Sequence, residues 1–240
     1  MNQREIIFTK YQNRGAYHWQ QIRKNLFTFN AFVLARYQQV LGQIPSNKNL
    51  KFLDIGCGDG VLLYLISQKT KAQLFGIDSD SDSLKTAKSK VNAKFFQASA
   101  YKLPFKTQSF DIVIASEIIE HLKNPEKMLS EIKRVLKPKG LSLITTPVKL
   151  FPKPEDPMHV QEFSTSDLNN LLTKYFSKVI IKTSHPYLIK KIYTTPWFKI
   201  NRFYFEPLRW LINLLFFLFK FNPFCLKGSR PSQQLAIIKK

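Results

Sequence analysis

Asp54-Ile55-Gly56-Cys57-Gly58-Asp59-Gly60 closes an apolar run, LKFLDI (50–55), and opens a helical stretch near 60–69. Glycines at such a strand-to-helix turn allow a tight bend and let a ligand lie against the backbone. The loop departs from the dinucleotide fingerprint: position 61 holds Val where that pattern wants Gly or Ala. Carboxylates stand at both ends, Asp54 and Asp59, and would repel a pyrophosphate. They suit a cationic ligand without phosphates. Asp78 follows Gly58 by 20 residues and ends the next apolar run, AQLFGI (72–77). That is the spacing of a carboxylate that takes ribose hydroxyls.

Outward from the loop, short apolar runs alternate with amphipathic stretches, the pattern of βαβ units around a parallel sheet. Further strands are expected at AKFFQA (93–98), FDIVIA (110–115), LSLITT (141–146), KVIIKT (178–183) and QLAII (234–238). Helices are expected near 81–90 and 124–137, the latter stopped by Lys137-Pro138-Lys139-Gly140, and over 164–176, capped by Ser164 with Asp167. Residues 147–163 read as a Pro-rich loop. The expected organisation is a helical cap at 1–45, a ligand-binding domain at 46–185 with 231–240, and an aromatic, basic insertion at 186–230.

A sulfonium, an ammonium, a ribose and an adenine make S-adenosylmethionine fit this loop. The segments DIGCGDG, GID, QASAYKLPF, SFDIVIASEIIEHL and EIKRVLKPKG follow in an order and spacing that resembles the class I S-adenosylmethionine-dependent methyltransferases, over roughly 50–183 plus the last strand. The resemblance implies an α/β, Rossmann-like, doubly wound sheet of seven mostly parallel strands. It implies that Asp54 and the backbone of Gly56, Cys57, Gly58 and Gly60 hold the methionine end of the cofactor. Asp78 would grip the ribose, Ser79 and Leu103 would lie near the cofactor, Ser99 and Ala100 would flank the adenine, and Ser116 completes the set. Relatives often carry Asp where Ser99 stands, so that position hydrogen-bonds here without a charge.

Acceptor-side residues are expected after the fourth strand. Enzymes that methylate exocyclic base amines carry Asn/Asp-Pro-Pro-aromatic there; this chain has Ala115-Ser116-Glu117-Ile118-Ile119-Glu120-His121. One helical turn would place Glu117, Glu120 and His121 on one face. Further on comes Met158-His159-Val160-Gln161-Glu162-Phe163-Ser164. The two segments together resemble two metal-dependent branches of the fold, the O-methyltransferases of ubiquinone synthesis and the small-RNA 2′-O-methyltransferases. That resemblance implies a divalent ion on Glu117, Glu120, His121 and His159, with Mn²⁺, Zn²⁺ or Fe²⁺ suiting two histidines better than Mg²⁺. Metal-free relatives also keep Glu-His here. His121, His159 and Glu117 are therefore the catalytic candidates with or without an ion, and a structural role is the alternative.

The chain has 240 residues, 37 Lys+Arg against 16 acids and a net charge of +21. Phosphate-bearing partners come to mind, yet the excess is mostly Lys spread along the chain, so nucleic acid is the lesser expectation. Two cysteines exclude a disulfide scaffold and a four-cysteine zinc site. The start lacks the apolar run of a secretory signal, so the cytoplasm is expected. Tyr11, Arg14, Gly15, Tyr17, His18 and Trp19 are expected either to line the pocket as a lid or to pack on the sheet edge.

In the insertion, Pro207 and Pro223 bracket LRWLINLLFFLFKFN. Those residues span roughly 22 Å as a helix, short of a bilayer core of about 30 Å. Arg209, Asn213 and Lys220 fall within about 40° of one another on the wheel. Three situations suit the segment: a membrane interface helped by Lys190, Lys191, Lys199 and Arg202; a roof over a pocket for an apolar substrate, polar stripe outward; or a plain packed helix or dimer contact. The expected activity is O-methylation of a small or lipid-linked acceptor. An RNA 2′-hydroxyl and a non-catalytic, membrane-side assembly role are the alternatives. The sequence sets no oligomeric state.

Overall fold

The computed structural model describes residues 16–45, 49–200 and 203–240. Tyr11, Arg14, Gly15 and Arg202 lie outside the described residues. The chain opens with α1 (Tyr17–Ile22) and α2 (Ala31–Leu41). The expected continuous helical segment is broken between them. Asn25 Oδ1 accepts from the amides of Phe27 and Thr28, and Asn30 Oδ1 caps α2 at the Val33 amide. Asn side chains compete with the helix ladder in this way.

The alternation then follows: β1 (Lys51–Ile55), α3 (Val61–Ser67), β2 (Gln73–Asp78), α4 (Ser81–Lys90), β3 (Lys94–Gln97), β4 (Phe110–Ser116), α5 (Pro125–Val135), β5 (Leu136–Pro147), α6 (Thr165–Thr173) and β6 (Lys178–Pro186). The insertion forms α7 (Tyr187–Thr194), a hairpin of β7 (Phe198–Ile200) and β8 (Phe203–Phe205), and α8 (Pro207–Phe219). The last strand is β9 (Pro231–Lys239). Strand order is β3-β2-β1-β4-β5-β9-β6, with only β9 antiparallel to its neighbours. This is the expected doubly wound, mostly parallel sheet of seven strands.

One boundary moves. The helix expected to 137 stops at Val135, and Leu136–Gly140 joins β5 as an irregular arm, with Phe110 facing Leu136 and Ile112 already facing Leu141. Pro138 disfavours helix at the residue before it, and Lys139 turns into the left-handed region at φ 62°.

Apolar side chains cover both sheet faces. One layer joins Leu53, Val113, Leu129 and Leu172; the other joins Phe52, Leu63, Leu84 and Ile114. A third, smaller core lies off the sheet. Phe29, Ala31 and Ala35 of the cap pack with Tyr193 and Phe224 of the insertion, flanked by Ile212, Phe216 and Phe217. The cap and the insertion are thus one packed unit beside the sheet. Among the described residues no helix is long and apolar enough to cross a membrane.

Within that unit the polar stripe of α8 points the other way from the roof expectation. Asn213 is fully buried: its Oδ1 accepts from the Tyr193 hydroxyl at 2.7 Å and its Nδ2 donates to the carbonyls of Leu26 and Phe29 at 2.9 and 3.0 Å. Arg209 pairs with Glu206 and also donates to Phe29 O. The carbonyls of the 23–30 segment, freed where the helix breaks, need buried donors, and this face of α8 supplies them. Only Lys220, the left-handed residue ending the helix, is exposed.

Candidate active site

All three loop glycines adopt positive φ: Gly56 71°, Gly58 52° and Gly60 82°. A Cβ on Gly56 would also come within 2.7 Å of the Ile118 side chain. The loop therefore folds tightly against the strand ends only with glycine there. The amides of Gly56 and Cys57 both donate to Ile77 O, and the Gly58 amide donates to Asp78 Oδ2 at 2.8 Å. The Asp80 amide holds the other Asp78 oxygen at 2.9 Å.

These elements wall one cleft of about 760 Å³. Asp54, Gly56, Cys57, Asp78, Ser79, Ser99, Ala100, Ser116, Glu117, Glu120, His121 and His159 all line it. Gly58 and Gly60 do not line it. They shape the loop, and Gly60 lies close enough to Ala87 of α4 for a Cβ to press on it at 3.0 Å. Leu103 sits behind the wall in the sheet core, its amide donating to Glu131. From the cap come Tyr17, His18, Arg36 and Tyr37. The two readings of the N-terminal aromatics divide. Tyr17 and His18 face the cleft, whereas Trp19 packs on Tyr64 and donates to Asp59 O at 2.8 Å. Asp59 accepts from the His18 amide at 3.0 Å, so this carboxylate fastens the cap to the loop. No described residue of 186–230 is on the cleft wall, which removes the roof expectation.

The cleft has two electrostatic ends. At the loop end, burial and the charge of Asp78 hold the Asp54 carboxyl well above the usual range. Burial also raises Asp78, against the pull of its backbone donors. Among the described residues neither carboxylate forms a salt bridge with a Lys or Arg, and burial dominates both shifts. A ligand that brings positive charge fits this end, and one that brings phosphates does not.

At the other end Glu117 faces a resident cation. Burial would raise its carboxyl, but Arg36 of α2, with hydrogen bonds from Thr145 and Gln233, holds it below the usual range. Ser116 Oγ joins this network at 2.9 Å from Thr145 Oγ1. Glu120, three residues on, accepts from Thr146 at 2.9 Å, while its Oε1 is buried without a partner. Burial and the Glu117 charge push its carboxyl well up. His121 Nδ1 lies 2.9 Å from Met158 O, which assigns the proton to Nδ1 and the lone pair to Nε2. Burial, aided by His159, lowers the His121 pKa and keeps the ring neutral. His159 Nδ1 lies 2.8 Å from Glu162 Oε1, and the two imidazoles stand edge to face at 5.0 Å.

Of the four expected metal ligands, Glu120, His121 and His159 converge, with ligand atoms within 4.8 Å of one another. Glu117 does not join them. It stands at φ 55°, and helical geometry starts only at Ile119, so the expected single turn does not form. Arg36 is a site residue the sequence reading missed, as are Tyr37, Thr145 and Gln233. The signal for Arg36 was there: it is the only charged residue in Ala31–Leu41, on a helix otherwise of apolar residues, Tyr37 and two glutamines.

The family model described as Methyltransferase domain matches residues 46–195. The chain is 34% identical over 102 residues to a ubiquinone biosynthesis O-methyltransferase of Bartonella bacilliformis, covering 40% of this chain and 41% of the relative. It is 36% identical over 128 residues to a ubiquinone/menaquinone biosynthesis C-methyltransferase of Campylobacter jejuni, covering 50% and 54%. It thus spans about half the length of the curated relatives it matches. Among solved structures, a Haemonchus contortus phosphoethanolamine N-methyltransferase in complex with S-adenosylhomocysteine superposes with a TM-score of 0.69 at 18% identity, over 100% of this chain and 60% of that one. Sheet order, loop, cleft and family match agree: this chain belongs to the class I S-adenosylmethionine-dependent methyltransferases.

Proposed function

We propose that this chain transfers a methyl group from S-adenosylmethionine to an oxygen of a small or lipid-linked acceptor. Bound in the cleft, the cofactor would supply a methyl carried on a sulfonium. Asp54 and the Gly56–Gly60 loop hold the charged methionine end, Asp78 takes the ribose hydroxyls, and Ser99 with Ala100 borders the base. The observation that carries the oxygen reading is the His121–Met158 hydrogen bond. It fixes the His121 ring, whose pKa burial lowers, in the same cleft as Asp54 and Asp78. Such a group takes the proton from an acceptor hydroxyl as the methyl arrives. The cap, fastened through His18 and Asp59, brings Tyr17 and His18 to the cleft wall. The Bartonella relative supports an oxygen acceptor; the Campylobacter relative makes carbon the competitor.

The test pairs two variants. Asp78→Ala removes ribose hydrogen bonds worth about 1.5–3 kcal/mol each. Its calorimetric affinity for S-adenosylmethionine should fall by at least roughly tenfold. His121→Asn should keep that affinity and lose roughly a hundredfold or more of turnover. Turnover is read by methyl-labelled cofactor with separate lipid, RNA and soluble extracts. Unchanged cofactor affinity in Asp78→Ala rejects the ribose assignment; full turnover in His121→Asn rejects the base.

A second reading has its own observation, the partnerless Oε1 of Glu120 beside His121 and His159. These three residues would hold a divalent ion, which would lower the acceptor hydroxyl's pKa. Chelator-treated protein should then lose turnover and regain it with Mn²⁺. Undiminished turnover after chelation leaves the metal-free base.

A further inference from the structure

An ordinary surface helix buries its apolar face and wets its polar one. In α8 the inward face holds the polar residues together with Ile212, Phe216 and Phe217, and the outward face is apolar as well. Asn213 and Arg209 hold the cap carbonyls inside, while Leu211, Leu214, Leu215, Leu218 and Phe219 face outward, the last two 63% and 71% exposed. Phe221 extends the same surface, and α7 adds Leu188 and Ile192. Between the helices runs an apolar groove of about 260 Å³, lined by Ile189, Ile192, Ile212, Leu215, Phe221 and Pro223. A patch of this extent marks an interaction surface.

Charge says what covers it. Residues 186–230 hold eight basic residues against the single acid Glu206. Glu206 is already paired with Arg209. Lys191 stands beside Ile192 on α7, and Lys220 directly follows Leu218 and Phe219; both are exposed. Apolar side chains fringed by lysines, on a helix too short to span, complement an anionic leaflet: lysines meet headgroups and leucines enter the acyl boundary. The surface is also joined to the cleft. Lys190 of α7 pairs with Glu155 at 2.6 Å, and Tyr187 meets Phe151 edge to face, both partners in the loop that carries His159. Asn213 grips the segment that joins α1 to α2, whose Tyr17 and Arg36 line the cleft.

We propose that the α7–α8 face docks this chain on an anionic membrane surface, with the groove admitting acyl-chain segments. The proposal stands apart from the methyl-transfer reading, because it needs neither the cofactor nor the acceptor.

The experiment is co-sedimentation of the full chain with phosphatidylcholine vesicles, with and without phosphatidylglycerol. The expected result is binding only where phosphatidylglycerol is present, weakened by salt. Lys191→Glu with Lys220→Glu should weaken it by roughly tenfold or more, at about fivefold per lysine lost. Leu218→Asp with Phe219→Asp should abolish it. All four positions are exposed, and S-adenosylmethionine affinity measured in parallel reports that each variant is folded. Failure of wild-type protein to bind that cofactor would count against the methyl-transfer reading and leave the docking result standing. Three outcomes overturn the proposal: no binding to anionic vesicles, binding indifferent to the two Asp substitutions, or a solution dimer that those substitutions dissolve without any lipid binding. The last would assign the face to a second copy of the chain.

Discussion

Asp54 and Glu117, at the two ends of the cleft, meet the loss of water in opposite ways. At the glycine-loop end, buried Asp54 and half-buried Asp78 lie near one another, and burial is the leading influence on both. At the acceptor end, Glu117 is partly buried, and it has Arg36, Thr145 and Gln233 around it. A buried charge costs free energy unless something compensates it. Glu117 finds its compensation within the chain, while Glu120 beside it stays raised with one oxygen unpartnered. The loop end leaves compensation to a ligand, and S-adenosylmethionine brings a sulfonium and an ammonium. The same contrast separates the helices. α4 is an ordinary surface helix, capped by Asp80 and burying Leu84 and Ala87. α8 turns its polar residues inward because the cap needs donors there.

The sharpest way to break the second contrast is Asn213→Leu, which makes α8 more apolar. An outward polar stripe would tolerate it. With Asn213 inside, the Tyr193 hydroxyl and the carbonyls of Leu26 and Phe29 lose partners, at a cost of about 3 kcal/mol. Thermal unfolding should move down by roughly 6–12 °C. An unchanged midpoint would return the stripe to solvent.

Arg36→Met tests the first contrast. It leaves Glu117 enclosed with hydrogen bonds but no counter-ion. The pair is about one-fifth exposed, so the cost is discounted to about 2 kcal/mol. Adding Glu117→Gln removes the stranded charge and should restore most of that stability. Equal losses in the single and double variants would mean that the ion pair contributes nothing.

Much of the fold was legible because its signals are local. Gly56, Gly58 and Gly60 sit where only positive φ closes the turn, and the strands announce themselves as apolar runs between amphipathic stretches. The capping box at Ser164 and Asp167 formed as spaced. What resisted reading was tertiary. Arg36 and Glu117 lie 81 residues apart, and nothing local pairs them. The helical wheel grouped Arg209 with Asn213 correctly, but a wheel shows which residues share a face, not which face turns inward. That direction was set by carbonyls in the broken cap segment. Glu117 parted from Glu120 and His121 because the backbone enters the left-handed region just where a continuous turn had been expected.

The central claim is that the loop end of the cleft is completed by a cation the ligand brings. Raised carboxyls carry part of a proton above the ordinary range, and a cation favours their ionised form, so binding must expel protons and strengthen as pH rises through that window. The direct measurement is calorimetric titration with S-adenosylmethionine at a series of pH values upward from the ordinary Asp value of about 3.9, in two buffers of different ionisation enthalpy. The account predicts binding with net proton release and a weaker affinity at lower pH. Binding with no proton exchange, or with proton uptake, would contradict it.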